Sequence, residues 1–216
     1  FLEWFHRLDA FFVGIVLITQ FALSLYWSKS LPKWLPWTYG LLTLLVAFQG
    51  FLGALTVLNL LPSLVVIAHL AVAFSLVAIM SGVTQQLLSP GKSIFTPWLR
   101  SLGFLSLFSV IVQSLLGSRV ATSWAAQRCL GFGDSCNLLG LHRVSAFPVS
   151  LLVMAFVIIS LTKKDLFMNQ WPYLLTIILL IISQICLGVF SIQLGMNEPS
   201  IVIGHQLVAC LLVAVI

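Results

Sequence analysis

Along the chain, leucine, isoleucine, valine and phenylalanine fill long runs that are interrupted only by short polar or proline-containing stretches. A helix needs roughly 20 mainly apolar residues to cross the hydrocarbon layer of a bilayer. Counted that way, the pattern predicts seven spans, over residues 10–27, 37–58, 64–82, 98–117, 144–161, 171–192 and 201–216. The runs lack the period-two alternation of a membrane barrel, and lipid admits only helices and closed barrels because every backbone polar group must be satisfied internally. The expected fold is therefore an all-α integral membrane protein, with breaks too short to hold a separate water-soluble core.

Composition narrows the picture further. With 61% hydrophobic and 7% charged residues, the chain cannot be a soluble, disordered or nucleic-acid-binding protein. Its net charge of +5 arises from loop placement. The connections 28–36, 83–97 and 162–170 carry Lys29, Lys33, Lys92, Lys163 and Lys164, with Arg100 just inside a span, against only Asp165. On the other side, Arg7, Arg119, Arg128 and Arg143 are balanced by Glu3, Asp9, Asp134 and Glu198. The positive-inside rule places the first side in the cytoplasm, and Trp27, Trp34, Trp37, Trp98 and Trp171 mark its interface. Cys129 and Cys136 then fall in the outer loop 118–141, where disulfides persist. A bond between them is expected, with free thiols or a metal pair as the alternatives. Cys186 and Cys210 lie mid-helix and read as small apolar fillers.

The chain also repeats itself. His6 recurs at His142 and His69 at His205, both at an offset of 136 residues. His6-Arg7 matches His142-Arg143, Gln49-Gly50-Phe51-Leu52-Gly53 matches Gln184-Ile185-Cys186-Leu187-Gly188, and Pro62-Ser63 matches Pro199-Ser200. A third Gln-x-x-Leu-Gly, from Gln113 to Gly117, sits on the helix before the cysteine loop. The expected architecture is a tandem, pseudo-symmetric repeat of four-helix bundles, with residues 1–82 supplying three helices and residues 83–216 supplying four. Symmetry predicts a further helix and outer loop before Phe1.

The four histidines of the chain all fall toward the outer ends of helices that run inward from the outside, His69 and His205 in the outer third of their spans and His6 and His142 a few residues before the start of theirs. An imidazole at membrane depth is costly unless it faces a polar site or a ligand. Two at matched depth on facing helices of a bundle are what a six-coordinate haem needs, one on each face of the iron. A single such histidine would more often be an interhelical hydrogen-bonding group or a proton relay. Zinc or copper would want cysteine, carboxylate or a denser cluster. Two pairs with duplicated spacing favour two haem sites, His6 with His69 and His142 with His205. Gly53, Gly117 and Gly188 either make room beside a macrocycle or let helices approach one another. Arg7 and Arg143 stand where haem propionates would emerge and could pair with them, or simply snorkel to the interface. The halves differ at one telling position: Glu3 lies one turn before His6, where the second half has Leu139. That asymmetry points to chemistry in the first half, against the plainer reading of a glutamate at a helix N-terminus.

Glu3-Trp4-Phe5-His6-Arg7-Leu8-Asp9-Ala10, followed by Gln49-Gly50-Phe51-Leu52-Gly53-Ala54-Leu55-Thr56 and Ala68-His69-Leu70, resembles haem A synthase, in wording closest to its cyanobacterial members. The resemblance covers the whole chain. It implies two pseudo-symmetric four-helix bundles and conversion of haem O to haem A for cytochrome oxidase, a porphyrin methyl being oxidised through an alcohol to an aldehyde with water as the oxygen source. It implies that His6 and His69 hold the substrate haem O and the product haem A, that His142 and His205 ligate a haem b, and that Glu3 is the catalytic carboxylate. The paired outer-loop cysteines of the family match Cys129 and Cys136. The departure is the first helix and first outer loop of the family, which would precede Phe1; the expectation is either that this sequence is a portion of a longer chain or that its first bundle is incomplete. Implied partners are a haem O synthase, an electron acceptor, the lipid bilayer and a second copy of the chain, with no nucleic acid; the implied location is a bacterial plasma or thylakoid membrane, histidine sites outward.

The rival reading is a di-haem b-type electron carrier without substrate chemistry. Such a carrier needs no Glu3 and would favour haems near opposite membrane faces. A transporter with a histidine proton relay would want carboxylates or broken helices at the midplane, and the sequence has neither.

Overall fold

A computed structural model describes residues 2–59, 61–88, 95–122, 136–194 and 198–216. These residues form α1 (Leu2–Tyr26), α2 (Leu35–Leu58), α3 (Ser63–Leu88), α4 (Pro97–Thr122), α5 (Cys136–Leu161), α6 (Lys164–Gln193) and α7 (Pro199–Val215). The protein is an all-α integral membrane protein: six of these helices are long and apolar enough to cross a bilayer. The seventh, α7, has 17 residues, about 25 Å of helix against a hydrocarbon layer of about 30 Å.

Several helices extend past the apolar stretches that foretell them. α1 begins at Leu2 and α5 at Cys136, so the Glu3–Arg7 and His142–Arg143 segments are helical. Polar side chains at the membrane surface reach water while their backbone still gains from helical bonding. α6 starts at Lys164 and runs straight through Pro172, and α5 contains Pro148. The expected helix start beside Pro172 is thus corrected: a membrane helix absorbs the single missing N–H donor more readily than it exposes a new terminus to lipid. Pro36 and Pro199 do occupy first-turn positions of α2 and α7, where an N–H would lack a helical partner anyway. The short α2–α3 connection is closed by the Leu61 N–H donating to Thr56 O at 2.8 Å, with Leu61 itself at φ 61°.

The chain divides into two compact units, Phe1–Met80 and Ser81–Ile216. In the first, Leu17 of α1, Leu42 of α2 and Leu76 of α3 are buried together, with Tyr39, Leu45, Val46, Val72 and Ile79 packed around them. Lipid tails are as apolar as leucine, so such packing holds helices together through close contact rather than through exclusion of water. Gly40 lets α2 approach the Phe21 ring of α1; a Cβ there would meet the ring at 3.2 Å. In the second unit α4 packs on α5, α5 on α6 and α6 on α7, and α7 closes the ring on α4. Its interior is lined by Leu99 and Val110, Val153 and Val157, Leu174 and Ile177, and Leu212 and Val213. The outward faces are the reverse of a soluble surface: Leu44, Phe104 and Phe147 are about 70% exposed (71%, 72% and 69%), and lipid is the solvent they suit.

Candidate functional site

In the first unit α1 and α3 bring two histidines together. The His6 and His69 ring centroids are 6.5 Å apart and their planes are inclined at 77°. Two imidazoles bound to opposite sides of one metal, with metal–nitrogen bonds of about 2.0–2.1 Å, have ring centres about 6 Å apart. An edge-to-face aromatic contact occupies the same range. His6 is exposed on α1, whereas His69 is half-buried and its Nδ1 is buried without a hydrogen-bond partner. A nitrogen left without a partner at that depth is costly, and it suits a ring whose other bonds are completed by a bound group. The residues therefore fit a haem held between two imidazoles.

Glu3 lies three residues before His6 on the same helical face. Its Oε1 accepts from Arg7 Nη2 at 2.6 Å, an exposed i, i+4 ion pair. Arg7 is thus engaged by Glu3, a pairing that the sequence analysis missed although the four-residue spacing signals it.

In the second unit, His142 of α5 and His205 of α7 are both half-buried and lie within electrostatic reach of each other. His205 repeats the condition of His69, its Nδ1 buried and unpartnered. Arg143 is exposed and lines a shallow cleft with Gly140 and Val144. Leu139 stands three residues before His142, as Glu3 does before His6.

The recurrent glycines lie against the histidine rings. A Cβ at Gly53 would meet His69 Cε1 at 3.4 Å, one at Gly117 would meet His142 Cε1 at 2.8 Å, and one at Gly188 would meet His205 Cε1 at 3.1 Å. Each glycine is a flat seat for an imidazole on the following helix. The glutamine one turn earlier reaches the same ring in two cases: Gln113 Nε2 is 3.2 Å from His142 Nδ1, and Gln184 Nε2 is 3.3 Å from His205 Nε2. Sequence reasoning used Gln-x-x-Leu-Gly only as a marker of duplication. The signal for more was that the same two residues, spaced by one turn, precede three of the four histidines.

Among the described residues no group of three or more His, Cys, Asp or Glu side chains could hold a metal ion by itself. Cys129 and the Cys136 side chain, between which a bond is expected, lie outside the described residues. Cys186 is free and exposed, and Cys210 is free and half-buried.

Compared with known proteins, residues 1–216 match the family described as COX15-CtaA, cytochrome oxidase assembly protein. The chain is also similar to the Heme A synthase of Shewanella oneidensis, with 32% identity over 133 residues. That stretch is 59% of this chain and 38% of the relative, so the chain spans well under two thirds of the relative's length.

Proposed function

The chain belongs to the COX15-CtaA family of cytochrome oxidase assembly proteins, and on that premise we propose that it is a haem A synthase. The reading takes haem O as substrate and haem A as product, both held in the first unit by His6 and His69. The observation that carries it is the pair of facing imidazoles at 6.5 Å with a carboxylate one helical turn away. His142 and His205 hold a haem b in the second unit, which supplies electron-transfer capacity when bound. The tandem arrangement of the two sites is supported by burial that repeats at the same 136-residue offset. Leu17 and Val153 are buried at equivalent positions, as are Ser24 and Ser160.

In the proposed reaction a methyl of haem O and one water give an alcohol with loss of two electrons and two protons. Loss of two more electrons and two protons gives the aldehyde. The electrons leave to an acceptor. Glu3 is the group of this chain placed to accept a proton or to stabilise positive charge developing at that carbon. Arg7 fixes the Glu3 carboxylate through its bond to Oε1, while its remaining N–H groups, like those of Arg143, are available to a propionate. The proposal includes a Cys129–Cys136 disulfide in an outer loop, histidine sites toward the outer face of a bacterial plasma or thylakoid membrane, and delivery of substrate by a haem O synthase.

Replacing Glu3 with glutamine tests the assignment. Glu3→Gln keeps the shape and removes the charge, so haem O binding should persist and alcohol and aldehyde products should disappear from extracted haem. A fully active Glu3→Gln protein would remove Glu3 from the mechanism.

A further inference from the structure

α2, α4 and α6 each carry a glutamine and, four residues later, a glycine that seats a histidine ring of the next helix. At α4 the hydrogen bonding around that ring is most complete. Gln113 Nε2 donates to the His142 carbonyl oxygen at 2.6 Å and stands 3.2 Å from His142 Nδ1. Gln113 Oε1 accepts from Ser145 Oγ at 2.7 Å. Nδ1 of the ring therefore stands next to Gln113 while Cε1 rests on Gly117, with both ring nitrogens 3.4 Å from where a Gly117 Cβ would stand.

The bonding around Ser145 has two solutions. Its hydroxyl lies 2.7 Å from Gln113 Oε1 and also 2.7 Å from Leu141 O, yet it has one proton to give. With that proton on Oε1, the amide nitrogen faces His142, as above. With the proton on Leu141 O, the hydroxyl oxygen becomes an acceptor, the amide nitrogen turns toward it, and Oε1 turns toward Nδ1. Amide oxygen and nitrogen are nearly the same in shape, so the turn needs little room. It gives up the bond to His142 O, from which Oε1 must then swing clear because two acceptors cannot share a 2.6 Å contact, for one that a metal-bound imidazole requires. A histidine that gives Nε2 to a metal keeps its proton on Nδ1, and that proton wants an acceptor.

We propose that Gln113, relayed by Ser145, is a positioning residue for His142, turning its amide so that Oε1 accepts from Nδ1–H when Nε2 binds the haem of the second unit. The proposal rests on the reading that His142 is a haem ligand. The equivalent glutamines support it. Gln49 Oε1 and His69 Nδ1 are both buried without partners, as are Gln184 Oε1 and His205 Nδ1. Each of these sites thus holds one unpartnered amide oxygen and one unpartnered ring nitrogen, although at His205 the amide nitrogen stands 3.3 Å from Nε2 of the ring.

An acceptor at Nδ1 makes the imidazole a stronger donor to iron and favours the ferric state, lowering the midpoint potential. The test is redox titration of the haem in the full-length protein, with Gln113→Leu and Gln113→Glu beside the unmodified chain. The leucine variant should titrate higher and the glutamate variant lower, each tenfold change in ferric preference being about 59 mV for one electron. Ser145→Ala, which removes the acceptor of the turned amide nitrogen, should retain haem and titrate above the unmodified protein, toward the leucine variant; a potential below the unmodified protein would remove Ser145 from the relay. Potentials that do not separate, or that move the same way in both Gln113 variants, overturn the proposal. If Gln113→Leu retains no haem, retention by Gln113→Glu supports the acceptor role, and loss from both folded variants overturns it. His142→Ala with an unchanged haem spectrum would instead refute the ligand assignment beneath it.

Discussion

Replacing Gly117 with alanine adds a carbon 2.8 Å from His142 Cε1 and 3.4 Å from both ring nitrogens. Carbon atoms settle at about 3.5–4.0 Å, so the ring must retreat by about 0.7 Å or more. Retreat is resisted on the Nδ1 side by Gln113, which also holds the His142 backbone oxygen. Overpacking of this kind costs about 1–3 kcal/mol, which is about 5- to 150-fold in affinity for a group the ring must hold. Glycine-to-alanine exchange within a helix otherwise gains about 1 kcal/mol of intrinsic propensity, so the fold should lose no more than about 2 kcal/mol and still form while haem binding weakens. Gly188→Ala, at 3.1 Å, should show a smaller loss, and Gly53→Ala, at 3.4 Å, the smallest. Gly50→Ala and Gly140→Ala meet nothing within 4 Å and serve as controls. The assay is haem per protein by pyridine haemochrome across a haem titration, with thermal melting followed by circular dichroism. Equal haem affinity in Gly117→Ala and Gly140→Ala would refute the argument that the glycines seat the histidines.

Leu17, 1% exposed at the centre of the first unit's core, should cost about 2–5 kcal/mol on truncation to alanine, measured by denaturant unfolding in detergent. Leu44→Ala, on a lipid-facing surface, should leave the midpoint within about 0.5 kcal/mol of the parent, and equal losses at both positions would contradict the packing described. Maleimide labelling of denatured protein should modify Cys186 and Cys210 before reduction and Cys129 and Cys136 only after it; labelling of all four without reductant would reject the proposed bond.

The apolar runs made the helices legible because a bilayer imposes one length and one composition on anything that crosses it. They misplaced helix ends where polar residues continue the helix at the surface, as at Glu3–Arg7, and where proline looked like a terminus, as at Pro172. The histidines announced themselves because imidazoles are rare in such a sequence, and the His6–His69 pairing followed from their positions on helices running the same way. What periodicity could not convey was contact across helices. Gln113 and Gly117 read as a repeated word, and only the packing of α4 on α5 turns that word toward the His142 ring. The Glu3–Arg7 bond was open to spacing rules but was hidden by giving each residue a separate partner.

The most direct test of the account supplies haem O to the purified protein, then extracts and chromatographs its haem alongside a pyridine haemochrome spectrum. The account predicts haem b together with haem O, its hydroxylated derivative or haem A, and loss of the second set but not of haem b in His6→Ala. Haem b alone at two per chain, unaltered by added haem O, would contradict it and favour an electron carrier; a protein without haem would reject both.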